Sequence, residues 1–224
     1  MSDGEPFTPL AYQQGWLEYR GRRFFVDERA FITDPETGFM LDAVIAYLRS
    51  TNMLDRGALV AELGTGCGAI GISLLKELSG VRLIGLEVDP GAIEVAKRNV
   101  TAHGVDYEIL RSDFFSAWAD RPQPAVIFGD LPWGDDSSVY EAGRPIEHYL
   151  AMPYRSVFPV GGPMGMHRRA LESVKLLGWS SEVFLNCGML PREAVLDMAR
   201  SLGAVYVLAI FAASNVFVLR CRMN

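Results

Sequence analysis

The sequence predicts an α/β domain: a seven-stranded, mostly parallel sheet ending in an antiparallel C-terminal hairpin, preceded by a short N-terminal β-hairpin and a helix. Three observations carry this expectation. Short apolar runs alternate with helical segments from residue 58 to residue 201, the pattern of strands joined by crossover helices. A glycine-rich loop, Gly64-Thr-Gly-Cys-Gly68, leaves the first of those runs and enters a helix. The last two apolar runs, Ala204–Phe211 and Val216–Leu219, are separated only by the turn Ala212-Ala-Ser-Asn215, too short for a crossover.

The elements follow in order. Residues 1–15 read as irregular, and Trp16 to Val26 holds two β-prone runs around a glycine turn. Thr33-Asp34-Pro35 reads as a helix start, with Thr33 or Asp34 as cap and proline in the first turn. That helix places Phe39, Met40, Val44, Ile45 and Leu48 on one face. Ala58–Leu63 is a strand, Ala69–Leu78 a helix, Arg82–Glu87 a strand, and Pro90 opens a helix through Asn99. Tyr107–Leu110 and Pro124–Phe128 are further strands. Residues 134–168, rich in Gly, Pro and Tyr, read as a long loop or lid, a length usually reserved for functional segments. A helix near 167–178, a strand at Glu182–Leu185, a helix at Arg192–Ser201 and the terminal hairpin complete the chain.

Composition narrows the function classes. Half of the 224 residues are apolar and 21% are charged, as in a globular protein. A net charge of -6 argues against a general grip on nucleic acid. The basic pairs Arg22-Arg23 and Arg168-Arg169 are isolated and read as solvated surface. Cys67, Cys187 and Cys221 form no CxxC pair and share no ligand spacing with His103, His148 and His167, so no metal is expected. The N-terminus is polar, and the longest apolar stretch, Ala204–Ala213, is about half of a membrane span. A cytoplasmic protein without a membrane partner is expected.

The chemistry is concentrated at strand ends. Glycines in the 64–68 loop permit a tight turn and close approach of a ligand to the backbone. Gly64-x-Gly66-x-x-Ala69 also satisfies a dinucleotide fingerprint, which is weak alone. Glu62 tilts the reading, since a carboxylate there suits a cationic amino group and repels a pyrophosphate. Glu87 ends the second parallel strand, where an acid can accept hydrogen bonds from ribose hydroxyls.

The run Glu62-Leu-Gly-Thr-Gly-Cys-Gly-Ala-Ile-Gly71 resembles the cofactor loop of class I S-adenosylmethionine-dependent methyltransferases, which have a Rossmann-like fold. The closer resemblance is to HemK/PrmC-type protein glutamine methyltransferases. Gly85 to Asn99 is similar to their next block, which places Glu87, with Val88 beside it, at the cofactor. Glu18–Val26 and Phe31–Thr37 resemble the family's hairpin and Pro-Glu-Thr segment, and Arg-Ser-Asp113-Phe114 its adenine-holding turn. The resemblance implies S-adenosylmethionine as cofactor, bound by Glu62, Gly64, Thr65, Gly66, Gly68, Glu87, Val88, Asp113, Phe114 and Asp130. It implies a single methyltransferase domain, with residues 1–56 as hairpin-and-helix extension and 57–224 as cofactor-binding core.

Two departures shape the expected substrate. The family's separate N-terminal helical domain, which engages the protein substrate, has no counterpart in the sequence. Its Asn-Pro-Pro-Tyr signature stands here as Asp130-Leu131-Pro132-Trp133. In the family, the polar side chain and the next backbone carbonyl accept hydrogen bonds from the acceptor nitrogen while the aromatic ring stacks on it. Asp130, Leu131, Pro132 and Trp133 are therefore the expected catalytic tetrapeptide, with Tyr140, His148 and Tyr154 as substrate contacts. Asp in place of Asn favours a more basic nitrogen, and the first expectation is N-methylation of a small molecule such as an amino acid or biosynthetic intermediate. The alternative is a protein glutamine in a release factor. A nucleic-acid base is a third reading, opposed by the acidic charge, and an NAD-dependent oxidoreductase or a binding module without turnover would need the same glycine loop.

Overall fold

The computed structural model describes residues 7–133, 144–212 and 216–223. The first element among the described residues is a short helix, α1 (Leu10–Gln14), within the stretch 1–15 expected as irregular from the sequence. The hairpin follows as β1 (Trp16–Tyr19) and β2 (Arg22–Phe25), paired antiparallel. Asp34 then caps a single 3-10 turn, Pro35–Thr37, by accepting the Glu36 N–H, and α2 (Gly38–Ser50) begins only after it. Met40, Val44, Ile45 and Leu48 are buried along one face of α2, as their spacing requires.

The main sheet is built from β3 (Ala58–Leu63), β4 (Val81–Glu87), β5 (Tyr107–Arg111), β6 (Val126–Gly129), β7 (Glu182–Asn186), β8 (Ala204–Phe211) and β9 (Phe217–Met223). Their spatial order is β5-β4-β3-β6-β7-β9-β8. Strands β3 to β7 run parallel, and β9 pairs antiparallel with both β7 and β8. The expected parallel sheet with a reversed terminal hairpin is therefore present.

Alternating strand residues divide the core between the two faces of the sheet. Val60, Val126, Phe128 and Phe184 pack with the hairpin, α2, α3 (Ala69–Glu77) and α4 (Pro90–His103). Leu59, Ala61, Leu63, Ile127, Val183 and Leu185 pack with α7 (Gly165–Leu176) and α8 (Arg192–Ser201). The segment expected as a loop contains two short helices among its described residues, α5 (Ile146–Leu150) and α6 (Tyr154–Val157), each introduced by a proline. Its final residues already belong to α7. No helix among the described residues is long and apolar enough to cross a membrane.

Because β4 and β5 lie on one side of β3 and β6 and β7 on the other, the chain reverses its direction of winding at β3. The loops after β3 and β6 consequently part, and a crevice opens beyond the carboxyl ends of the strands.

Candidate active site

A cavity of about 590 Å³ occupies that crevice. Its floor is the glycine loop, of which Gly64, Thr65 and Gly66 line the wall. Gly64 and Gly66 have φ of 71° and 55°, a region that L side chains rarely adopt. A Cβ at Gly66 would meet nothing within 4 Å and would project into open space, so this backbone is bare toward the cavity. Gly68, also expected at the cofactor, packs closely against α3 and α4. It lies outside the cavity wall, and its Cβ position is 3.4 Å from Ala96 on α4.

Glu87 stands at the end of β4, in the cavity wall. Its Oε2 accepts the Gly66 N–H at 2.9 Å, and its Oε1 accepts those of Val88 and Asp89 at 2.8 and 3.0 Å. Burial raises its pKa, and the three amides oppose that rise. The carboxylate is thereby oriented before any ligand arrives, and it ties the glycine loop to the next strand. Val88, Asp113 and Phe114 share the wall. Arg169 on α7 pairs with Asp113 at 2.8 Å and lies 5.0 Å above the Phe114 ring, so this member of a basic pair expected as solvated surface supports the cavity.

Glu62 lies one residue before the cavity-lining segment Leu63–Gly66. It is buried beneath the loop, outside the cavity wall, with Oε2 accepting the Tyr107 hydroxyl. Desolvation lifts its pKa to about 8. Packing is close here: Gly71 of α3 and Tyr107 of β5 lie against the carboxylate, leaving no room for a Cβ at Gly71. Glu62 thus sits beneath the loop with Oε2 on Tyr107, while its buried Oε1 has no hydrogen-bond partner among the described residues.

Asp130 follows β6 and opens into the same cavity. Gly129 pairs with Leu185 in the sheet, so one step further Asp130 faces Asn186. The Asn186 amide donates to Asp130 Oδ1 at 2.7 Å. Burial is the main cause of the Asp130 pKa being pushed up to about 6; Asn186 opposes it and Asp34 adds to it. Leu131 is buried against Gly64, while Pro132 and Trp133 line the wall. The glycine loop and the Asp130–Trp133 tetrapeptide are thus in contact.

The expected substrate residues divide differently. Tyr140 lies outside the described residues. His148 is not in the wall; it meets Arg144 at 2.9 Å and packs edge-on against Tyr149, with burial and Arg144 lowering its pKa. Tyr154 is exposed and packs on Phe158, again outside the wall. Their segment instead contributes Tyr149, Pro153, Arg155 and Ser156. Sequence reasoning also missed Asn186, and it offered Thr33, which lines the cavity, only as a possible helix cap. The available signal for Asn186 was a polar residue closing the apolar run Val183-Phe-Leu185.

Residues 40–129 match the family model described as methyltransferase small domain. The chain is 33% identical over 169 residues to a release factor glutamine methyltransferase of Bacillus cereus, covering 74% of this chain and 58% of that protein. It is 36% identical over 112 residues to the same-named protein of Chlorobaculum tepidum, covering 49% of this chain and 38% of that one. The chain thus spans about half the length of the curated relatives it matches. The fold is shared with the 16S rRNA N2 G1207 methyltransferase of T. thermophilus, at TM-score 0.65 and 16% identity over 93% of this chain and 50% of that one. A ribosomal protein L11 methylase from Lactobacillus delbrueckii superposes with TM-score 0.60 and 11% identity over 89% and 84% of the two chains.

Proposed function

We infer that this chain, a class I methyltransferase domain of the HemK-like type, methylates the side-chain amide nitrogen of a glutamine in a protein substrate of the release-factor class. S-adenosylmethionine, when bound, supplies an electrophilic methyl group together with its own leaving group. The residues present fit it: a bare glycine backbone at Gly66, an oriented acid at Glu87 and a polar–aromatic pair at Asp113 and Phe114 surround one cavity. Thr65 and Val88 complete that half of the wall.

The observation that carries the reading is that Asp130 opens into this same cavity, with its backbone carbonyl and the Leu131 side chain against Gly64. A nitrogen held by the Asp130 carboxylate and the Leu131 carbonyl would have its N–H groups engaged on one side and its reactive face turned toward the glycine loop. Trp133 offers an aromatic surface for the planar group. The protein's work is mainly alignment and exclusion of water, and alignment alone can contribute up to ~7–11 kcal/mol in well-oriented systems.

The names of the relatives support the protein amide ahead of the small-molecule nitrogen expected first from the sequence. One observation keeps the latter as a second reading: Asp130 is a carboxylate, which favours a basic nitrogen over a neutral amide. Incubation of the chain with methyl-labelled S-adenosylmethionine, a recombinant release factor and a pool of free amino acids separates the two. Label on a release-factor glutamine, lost with Asp130→Ala, is expected. Label confined to the small-molecule pool would transfer the assignment to the second reading. Binding of the donor with no transfer to either pool would overturn both.

A further inference from the structure

Beyond Asp130 itself, we propose that Asn186 is a positioning residue for the transfer step, holding one oxygen of the Asp130 carboxylate so that the other is presented to the acceptor nitrogen as its proton acceptor. The inference rests on the reading of this cavity as the methyl-transfer site. Three contacts carry it. Asn186 is buried at the end of β7, lines the cavity and donates to Asp130 Oδ1 at 2.7 Å. Its own side chain is fixed because its Oδ1 accepts the Gly188 N–H at 3.3 Å. Its backbone carbonyl meets the Nε2 of buried His167 at 2.7 Å, which anchors the strand end to α7. The amide can therefore donate only where the sheet register puts it, onto Asp130.

An amide in the place of Asp130 could orient a nitrogen but could not take its proton. A carboxylate can do both. In the step, the acceptor nitrogen forms its bond to the methyl carbon as the carbon–sulfur bond breaks and sulfur keeps the electron pair. One N–H proton passes to the free oxygen of Asp130, so the sulfonium and carboxylate charges are discharged together. Asn186 favours the ionised form, because its N–H is a hydrogen bond to the charged state. Asp34, itself 3.5 Å from Arg144, acts to keep the proton on Asp130, Glu62 and Tyr19 are electrostatically coupled to it from β3 and β1, and Arg29, Arg111 and Arg155 lie in the same cavity wall. Among the described residues Asn186 is the side chain that donates to Asp130.

The test reads Asp130 directly. In the full chain, the carboxyl C=O stretch that is present in the wild type and absent from Asp130→Asn is titrated by infrared difference spectroscopy, which needs no acceptor. The wild-type carboxyl is expected to titrate near pH 6. Asn186→Asp keeps an oxygen for Gly188 N–H while deleting the donor, and it should raise that midpoint by about one pH unit or more. Asn186→Ala should raise it less. With an active acceptor, the acid limb of kcat should move with the infrared midpoint while donor affinity stays constant. An unchanged midpoint in both variants would overturn the role of Asn186 even if methyl transfer is established. A shifted midpoint with no acceptor ever methylated would instead count against the functional reading and leave the pairing intact.

Discussion

The indole of Trp133 lies directly on the backbone of Gly188, so closely that a Cβ at Gly188 would overlap its six-membered ring. Gly188 also has φ of 49°, so this turn combines a left-handed backbone with a space that only a missing side chain provides. The ring is thereby fixed against this turn, and Trp133 contributes to the cavity wall and to the cores on both sides of the sheet. Gly188→Ala is expected to displace the indole, at about 1–3 kcal/mol for overpacking. Turnover should fall roughly tenfold or more, because small misplacements of a positioning group are costly. Donor affinity should hold. Equilibrium binding beside steady-state kinetics checks the split, and an equal loss in both would mean that the turn supports the whole cavity.

Glu87 gives the reverse split. Its carboxylate satisfies three backbone N–H groups as well as facing the cavity. Glu87→Ala leaves those donors without their charged acceptor, and each such bond contributes about 1.5–3 kcal/mol. Donor affinity should weaken by about tenfold to a hundredfold, with kcat recovered at saturating donor. Calorimetric titration that finds unchanged affinity would remove Glu87 from the cofactor site.

Glu87 and Asp130 show where sequence was sufficient. The strands were legible because buried parallel strands are continuous apolar runs, and Glu87 and Asp130 stood out as acids at the ends of such runs. Asn186 did not, since an asparagine after a strand looks like any turn residue; its role depends on β6 and β7 pairing across 56 positions of chain. Glu62 sat in a legible motif, but the direction of its side chain is decided by Tyr107, from a different strand. The helices α5 and α6 have five and four residues, too short to display a period. His148 and Tyr154 belong to that segment, and residue type alone did not reveal which side chains turn inward.

Asn99 joins the N-terminal hairpin to the glycine loop. Its Oδ1 accepts the Phe25 N–H at 2.7 Å, and its amide donates to the carbonyls of Phe25 and Cys67, each at 2.8 Å. Asn99→Ala would leave buried backbone groups unsatisfied and should destabilise the chain by about 3 kcal/mol, since each such group costs about 1–3 kcal/mol. Asn99→Asp should be worse, because a carboxylate would then face two carbonyls. Urea unfolding measures both, and a variant as stable as the wild type would show that water replaces the asparagine without loss.

Glu62 should make stability depend on pH in a definite direction. Its pKa is about 8 in the folded chain against an ordinary value of 4.5, with burial as the largest cause. Between those values the folded chain keeps a proton that the unfolded chain has released. Stability from this group is therefore fully present below pH 4.5 and is lost as pH rises through 8, at up to about 1.4 kcal/mol per pH unit. Asp130 acts in the same sense, but its loss is largely complete by about pH 6. His167 opposes both: burial depresses it to about 4 from 6.5, so its contribution is present above pH 6.5 and lost as pH falls through 4. Between pH 6.5 and 8 Glu62 is thus the group with the clearest slope, and Glu62→Gln should flatten it. Urea midpoints measured across that window should fall in the wild type and change less in the variant. Parallel curves would show that Glu62 is already ionised in the fold, and the Tyr107 hydroxyl would then be bonded to a charge.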